Sequence, residues 1–110
     1  MDERLEYQVN LLHASICQVM ADPKRILILY ALSDGPKYVH ELAEALETPQ
    51  PTVSRHLKTM RERKIVNAQR DGTSVLYSLA DTRVIDALDI MRLVLRDMLA
   101  RDAELASRLL

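Results

Sequence analysis

The sequence contains one cysteine, two glycines and no long hydrophobic run among its 110 residues. The single thiol, Cys17, cannot form a disulfide within the chain, so we expect a reducing compartment. The longest apolar run covers residues 26–32, far short of the roughly 20 residues that a membrane-spanning helix needs. The acidic start at Asp2 and Glu3 lacks the basic region of a signal peptide. These absences predict a cytoplasmic protein.

The scarcity of glycine also argues against an enzyme. Gly35 and Gly72 both fall in predicted turns, so no glycine-rich phosphate-binding loop can be built. His13 and Cys17 could pair as a base and a nucleophile, but no third residue is positioned to orient them. We therefore predict no catalytic activity.

The length and the 48% hydrophobic content predict a single domain over residues 1–110.

Positive charge is concentrated in one part of the chain, although the formal net charge is −1. Residues 50–73 carry six basic and two acidic side chains, a net charge of +4, whereas residues 1–49 carry −4 and residues 74–110 carry −1. A localised basic patch on a chain that is otherwise acidic suits contact with a phosphate backbone.

Apolar residues at spacings of three and four predict a first helix over about residues 4–21. Asp22 can cap a second helix that begins at Pro23 and stops near residues 33–36. A short third helix is predicted at about 39–46. It ends before Thr48-Pro49-Gln50-Pro51, whose two prolines favour a turn. The sequence thus predicts three helices before residue 48, with a tight turn after the third.

A fourth helix is predicted near Pro51 to Arg63, with Val53, Leu57 and Met60 on its inward stripe. Its opposite face is polar and largely basic. The candidate DNA contacts on this helix and its first turn are Gln50, Thr52, Ser54, Arg55, His56, Lys58 and Thr59. For His56, at the shoulder of the helix, packing or a phosphate contact is favoured over metal binding.

A β-hairpin wing is predicted near Ile65 to Leu79, because Asp71-Gly72 is a dipeptide favoured in two-residue type I′ turns. That turn places Arg70 and Thr73 at the tip, where they would meet the DNA backbone or the minor groove. The apolar cross-strand pairs that it implies are Ala68 with Val75 and Val66 with Tyr77.

A last helix over about residues 82–101 has an apolar face too wide for one neighbouring element. Its main stripe is Val84, Leu88, Met91, Leu95 and Met98, and a second set, Ala87, Ile90 and Val94, lies beside it.

The predicted order of elements, α-α-α-α-β-β-α, is mainly helical with a small β-hairpin and is typical of a winged helix-turn-helix. The major groove of DNA admits one α-helix, and arginine and lysine contact bases and phosphates there. The simpler alternative is that the charges only solvate a surface helix. The basic helix and the hairpin together favour DNA binding.

Three segments closely resemble the ArsR/SmtB family of bacterial and archaeal repressors. They are ADPKRILIL at 21–29, ELA at 41–43 and QPTVSRHLK at 50–58, and the wing residues 70–73 and 77–79 are similar too. The resemblance covers about residues 12–98. It implies a homodimer joined through the first and last helices, which binds an inverted-repeat operator in the prokaryotic cytoplasm, at the nucleoid, and represses transcription until an effector releases it.

The resemblance does not identify the effector. Members that sense metals through the third helix have cysteines there, and the matching positions hold Tyr38 and His40. Members that sense zinc-like ions through the last helix use an aspartate and histidines, and the matching positions are Asp81, Arg83, Val94 and Asp97. Two carboxylates without imidazole bind transition metals poorly. No cofactor and no metal ligand is therefore predicted, and a metal effector stays open although the family's usual ligand sets are missing.

His13 and Cys17 are the remaining candidates for an effector or redox site, because i, i+4 spacing places them on the same side of the first helix. The alternative is that Cys17 is a small buried hydrophobic residue beside a partly exposed histidine. The main hypothesis is a dimeric sequence-specific DNA-binding repressor. The alternative function is a winged-helix protein-interaction module without DNA binding, which the +4 segment disfavours.

Overall fold

The computed structural model describes residues 1–109, and this part of the chain contains six α-helices, one π-helical segment and three β-strands. In chain order they are α1 (Glu3–Leu12), the π-helical segment (His13–Cys17), α2 (Gln18–Met20), α3 (Pro23–Leu32), β1 (Lys37–Tyr38), α4 (Val39–Ala45), α5 (Gln50–Glu62), β2 (Val66–Asp71), β3 (Ser74–Leu79) and α6 (Arg83–Leu109). Within that range, no helix combines the length and the apolar character required to cross a membrane.

The first predicted helix is continuous in position but not uniform in its hydrogen bonding. Asp2 caps α1 by accepting a hydrogen bond from the Arg4 amide at 2.9 Å. The expected α-helix over residues 4–21 is interrupted by the π-helical segment, whose backbone bonds span five residues instead of four. His13 and Cys17 are the first and last residues of that wider turn.

The second and fourth predicted helices are confirmed. Asp22 caps α3 through a 2.9 Å bond from the Lys24 amide, and Pro23 is its first residue. Pro49 is the N-cap residue of α5, without a side-chain bond, so the helix begins at Gln50, one residue before the predicted start. The predicted inward stripe of α5 is confirmed, because its three members are all 0% exposed: Val53, Leu57 and Met60.

The sheet has three strands in the order β1-β3-β2, whereas the sequence predicted only the hairpin. Lys37 pairs with Tyr77 and Tyr38 with Leu76, so β1 lies antiparallel to β3. Two residues are too few to show the alternating pattern by which a strand is predicted from sequence.

The predicted register of the hairpin is wrong by two residues. Ala68 pairs with Tyr77 instead of Val75, and Asp71 pairs with Ser74. The loop is therefore Gly72-Thr73, and of these two only Gly72 has a positive φ, +62°. Glycine at the first loop position is typical of a type II′ turn, not the type I′ turn expected. Because the shift is even, each residue still faces the predicted side of the sheet.

The hydrophobic core lies between α3, α4, α5, the sheet and the start of α6. In contrast, α1 and most of α6 leave their apolar residues exposed, including Leu5, Val9, Leu95 and Met98. The radius of gyration is 17.4 Å, well above the roughly 13 Å of a compact domain of this length. The last helix also extends to Leu109, beyond the predicted end at residue 101.

The turn between α4 and α5 is held by a buried hydroxyl. Thr48 is 9% exposed, donates to the Leu46 carbonyl at 2.9 Å and accepts from Lys24 Nζ at 2.8 Å. We expect Thr48→Val to lower the free energy of unfolding by about 1–2 kcal/mol, because it leaves both partners unpaired. Urea denaturation followed by circular dichroism measures this change. Thr48→Ser keeps the hydroxyl and is the control; equal stability of the valine variant and the parent would contradict the prediction.

Candidate nucleic-acid interface

The outward face of α5 presents a polar surface to solvent. Gln50, Ser54, Arg55 and Lys58 are exposed along it, while Thr52 is half-buried nearer the core. This arrangement follows from the helical period, since burial of Val53, Leu57 and Met60 turns the intervening polar positions outward. Within residues 1–109, neither Arg55 nor Lys58 takes part in a salt bridge or a side-chain hydrogen bond, so both charged groups are available to a ligand.

Two of the predicted contacts on α5 are less available. The Thr59 hydroxyl donates to the Arg55 carbonyl at 3.4 Å, within its own helix. His56 has a side chain that is only 14% exposed, and its Nε2 lies 3.8 Å from Asp22 Oδ2 at the start of α3. The structure therefore places His56 against the helix that packs behind α5 and not on the outer face with Arg55.

Further basic residues, not included among the sequence-predicted contacts, surround the end of α5. Arg61, Arg63 and Lys64 are all exposed. Arg63 donates from Nη1 to the Ala14 carbonyl in the π-helical segment, which joins the end of α5 to the first helix. Lys64 has a φ of +64°, the left-handed conformation that often ends a helix. In the sequence, only the excess positive charge of residues 50–73 indicated that these residues could contact DNA.

The wing lies beside α5 with its tip in solvent. Arg70 is exposed near the end of β2, and Thr73 is exposed in the turn. The adjacent carboxylate of Asp71 accepts a 2.5 Å hydrogen bond from the Tyr38 hydroxyl on β1. The Tyr38 ring in turn stacks on His40, with ring centroids 5.8 Å apart. Strand β1 therefore connects the wing, close to its tip, to the start of α4.

This tie depends on the protonated phenol of Tyr38. The hydrogen bond to Asp71 is the main cause that raises the pKa of Tyr38 above its usual value of 10.0. Because the folded-state pKa is raised, the contribution of the bond is present below about pH 10 and is lost as pH rises through the raised pKa.

We expect Tyr38→Phe to weaken DNA binding by roughly twofold to fivefold, because one exposed hydrogen bond makes a small but measurable contribution. The wing tip loses its anchor while the ring stacking on His40 is kept. Fluorescence anisotropy with a labelled duplex at pH 7.5 measures the loss. Asp71→Asn keeps an acceptor for the phenol and is the matched variant. An affinity equal to that of the parent would show that the tie does not hold the wing for binding.

Two of the side chains considered as metal ligands, Asp81 and Asp97, are paired with arginines. Asp81 is held by Arg83 at 2.7 Å, and this hydrogen-bonded guanidinium lowers the pKa of the Asp81 carboxyl to about 2. The Asp97 carboxylate oxygen Oδ1 lies 3.2 Å from Nη2 of Arg96, the preceding residue on α6. Among the side chains that the structure describes, no three of the His, Cys, Asp and Glu type come together as a metal site. Cys17 is exposed.

A family model described as "Bacterial regulatory protein, arsR family" matches residues 22–68, which include α3, α4, α5 and the start of the wing. The chain is 44% identical over 66 residues to the HTH-type transcriptional repressor SmtB of Mycobacterium tuberculosis, an alignment that covers 60% of this chain but 49% of that protein. It is 39% identical over 83 residues to the transcriptional regulator CmtR of Mycobacterium bovis, covering 74% of this chain and 70% of CmtR.

The fold is also similar to that of a solved structure. The crystal structure of NolR from Sinorhizobium fredii has a TM-score of 0.73 and 26% identity, and the match covers 86% of this chain and 93% of that one. The chain thus spans about half the length of SmtB and most of the length of CmtR and NolR. With the winged helix-turn-helix geometry described above, these matches show that the chain belongs to the ArsR family of transcriptional regulators.

Proposed function

We propose that this chain is a sequence-specific DNA-binding transcriptional repressor that acts as a homodimer on a palindromic operator. The observation that carries the proposal is the outer face of α5, where Arg55 and Lys58 are exposed and unpaired within residues 1–109. Beside it lies a wing on which Arg70 is exposed near the end of β2.

The charge distribution supports this surface as the DNA-binding one. Residues 50–73 are the positive segment of a chain whose net charge is −1. Lysine and arginine that neutralise phosphates release counterions, which makes binding favourable and sensitive to salt. The acidic remainder of the chain, in contrast, would be repelled by the same phosphates. DNA is therefore expected to approach the chain from the side of α5 and the wing.

The proposed roles of the side chains follow from their chemistry and position. Arg55, near the middle of α5, can bind guanine with two hydrogen bonds, and Gln50 at the start can bind adenine in the same manner. Thr52 and Ser54 can donate to bases or phosphates from the first turns. Lys58 and, on the wing, Arg70 and Thr73 would contact the backbone and fix the register. His56 and Thr59 would support this face from its edge.

A homodimer is proposed because α1 and α6 expose their apolar faces. Met91, Leu95 and Met98 are each about half exposed on α6, at 52–53%, and a wide apolar face is normally covered by a partner. We propose the helical segments at about 4–21 and 82–101 of the single domain as the dimerisation elements. A twofold dimer presents two copies of α5 to DNA, so its operator would be a palindrome.

The same proposal includes a cytoplasmic location at the nucleoid, release from DNA by an effector, and no catalytic activity. SmtB is named as a repressor, which favours repression over activation for this chain. His13 and Cys17 remain the sequence-derived candidates for contact with an effector, and both lie on the π-helical segment.

Selection of bound duplexes from a random DNA library, followed by affinity measurement, tests the proposal. We expect an inverted repeat whose half-site centres are about one helical turn apart or a multiple of it, bound in the nanomolar range at physiological salt. The logarithm of the affinity should fall linearly with the logarithm of the salt concentration. A folded dimer that selects no sequence and binds DNA without salt dependence would contradict the proposal and favour a protein-interaction module.

A further inference from the structure

The side of α6 that contacts its own protomer is distinct from the apolar stripe. Positions three, four or seven residues apart lie on the same side of a helix. Four residues of α6 related in this way form that side: Ile85, Leu88, Asp89 and Arg92. Ile85 packs against the core, and Leu88 is 5% exposed within it. The half-exposed residues Met91, Leu95 and Met98 lie roughly 100° further around the helix axis, so the contacts within the protomer leave the proposed dimer face free.

Tyr30 of α3 contacts both polar members of that side. Its hydroxyl donates to Asp89 Oδ1 at 2.7 Å, and the Arg92 guanidinium lies over its ring, 5.3 Å from the centroid. Partial burial and the hydrogen bond to Asp89 raise the pKa of Tyr30 above its usual value of 10.0, so the phenol is a donor at neutral pH. Within residues 1–109, this is the only side-chain hydrogen bond between α6 and an earlier helix or strand.

After Arg92, α6 extends away from the rest of the protomer. The side chains described at positions 93–105, 107 and 108 are all exposed. Tyr30 therefore holds α6 at the turn where the helix separates from the core, and a change there would tilt it. Over 17.4 Å, the radius of gyration, a tilt of about 10° displaces a point by about 3 Å, close to the roughly 3.4 Å between successive base pairs. A small tilt is thus large enough to change which operator fits.

The other end of α3 contacts the helix proposed to read DNA. The carboxylate of its N-cap residue Asp22 has Oδ2 at 3.8 Å from His56 Nε2 on α5. Lys24 Nζ donates to the Thr48 hydroxyl at 2.8 Å, in the turn before α5. Because α3 is bound to α5 at its start and to α6 through Tyr30 near its end, it transmits the orientation of one helix to the other.

We propose that Tyr30 is a positioning residue, which fixes the angle between α6 and the reading unit formed by α3, α4, α5 and the wing. In a dimer joined through α6, this angle determines the distance between the two copies of α5, and therefore the spacing of half-sites that the dimer accepts. The inference rests on the proposed function, because it requires a homodimer that reads a palindrome. Tyr30 acts through Asp89 and Arg92 and needs no contact with DNA.

Operators with altered spacing test this role. The half-sites of the selected operator are kept, and one or two base pairs are inserted or removed between them. We expect Tyr30→Phe to make the dimer tolerate altered spacing, because the dimer loses two copies of the bond. The ratio of the affinities for the selected and the altered operators should fall by roughly threefold or more. Affinity for a duplex with a single half-site should stay within about twofold of the parent, since the contacts of α5 and the wing with DNA are retained.

Two results would overturn the proposal. One is an unchanged ratio in a Tyr30→Phe protein that sedimentation shows to be dimeric. The other is an equal loss of affinity for every operator and for the single half-site, because that pattern indicates a general loss of stability and not a change in spacing.

Matched variants assign the effect to the bond between Tyr30 and Asp89. Asp89→Asn keeps an oxygen that can accept from the phenol and should preserve the ratio, whereas Asp89→Ala should lower it as Tyr30→Phe does. Combining Tyr30→Phe with Asp89→Ala should add nothing to either change alone, because both remove the same bond. Tyr77→Phe removes a hydroxyl that makes no side-chain hydrogen bond in residues 1–109 and should leave the ratio unchanged. Additive effects, or an equal effect of Tyr77→Phe, would overturn the assignment.

A measurement without DNA separates this inference from the proposed function. Spin labels on Glu62→Cys, an exposed position at the end of α5, in a Cys17→Ser background report the distance between the two copies of α5 by double electron–electron resonance. We expect Tyr30→Phe to broaden the distance distribution. If it does so but the parent selects no operator, the repressor function fails and the role of Tyr30 in fixing the angle stands. If the parent selects an operator and neither the distribution nor the spacing ratio changes, the positioning role fails alone.

Discussion

Replacing Arg55 with alanine should lower the affinity of the proposed dimer for its operator by roughly 30-fold or more. One arginine that binds a base with two hydrogen bonds contributes about 1–3 kcal/mol to discrimination, and a palindrome contains two such contacts. Arg55 is exposed and makes no side-chain bond within residues 1–109, so its loss should not unfold the protein. The loss is expected to be selective: affinity for a scrambled duplex should change much less than affinity for the operator.

Lys58→Ala is the matched comparison for Arg55→Ala, because Lys58 is three residues further along the same exposed face. A phosphate contact carries no sequence information, so this change should weaken operator and scrambled DNA alike and reduce the slope of the salt dependence by about one for each protomer. Anisotropy titrations of both variants on both duplexes at several salt concentrations measure these effects. If Arg55→Ala weakened both duplexes equally, Arg55 would be a backbone contact.

The fold could be predicted from the sequence wherever one local rule decided the outcome. Asp22 followed by Pro23 gave the start of α3, and the spacing of Val53, Leu57 and Met60 gave the buried side of α5. In each case the signal is a cap or a helical period that a single segment carries by itself. The placement of the outer face of α5 followed directly, because the two faces of a helix are linked by geometry.

The wing register was not determined by a local rule. Val75 and Tyr77 are both apolar and lie on the same side of β3, so the alternating pattern accepts either as the partner of Ala68. The turn dipeptide then decided the prediction, and it was misleading. In the structure Asp71 remains in β2, where it accepts the hydrogen bond from Tyr38. That bond joins residues 33 apart in the sequence, and it requires β1, which is too short to be predicted.

The connection between α5 and the first helix could not be predicted from the sequence either. Arg63 belongs to a charge run that sequence analysis treats as one basic patch, yet its guanidinium is directed to the Ala14 carbonyl, 49 residues earlier. The π-helical segment adds one residue to a turn without changing the composition of the helix. Both features depend on how separate elements pack, and neither produces a periodic signal.

Leu95→Asp should convert the proposed homodimer into monomers and lower its operator affinity by roughly 100-fold or more. Leu95 is 53% exposed in the middle of the apolar stripe of α6, so the change should leave the folded protomer intact. A carboxylate buried against a partner's apolar surface loses its hydration without a compensating bond. Once the protomers separate, each half-site is bound independently, and the gain from the high effective concentration of a linked second site disappears.

Sedimentation equilibrium at micromolar concentration and anisotropy with the selected operator measure the two consequences of Leu95→Asp. Arg96→Asp is the control, because it places the same carboxylate at the adjacent position, on the polar side that carries Asp89 and Arg92. This control should remain dimeric, since an exposed carboxylate keeps its hydration. If both variants stay dimeric, α6 does not form the interface, and the exposed stripe of α1, with Leu5 and Val9, would have to provide it. If Leu95→Asp becomes monomeric but keeps the parent's affinity, a single copy of α5 with its wing is sufficient for operator binding, and the proposed palindrome is wrong.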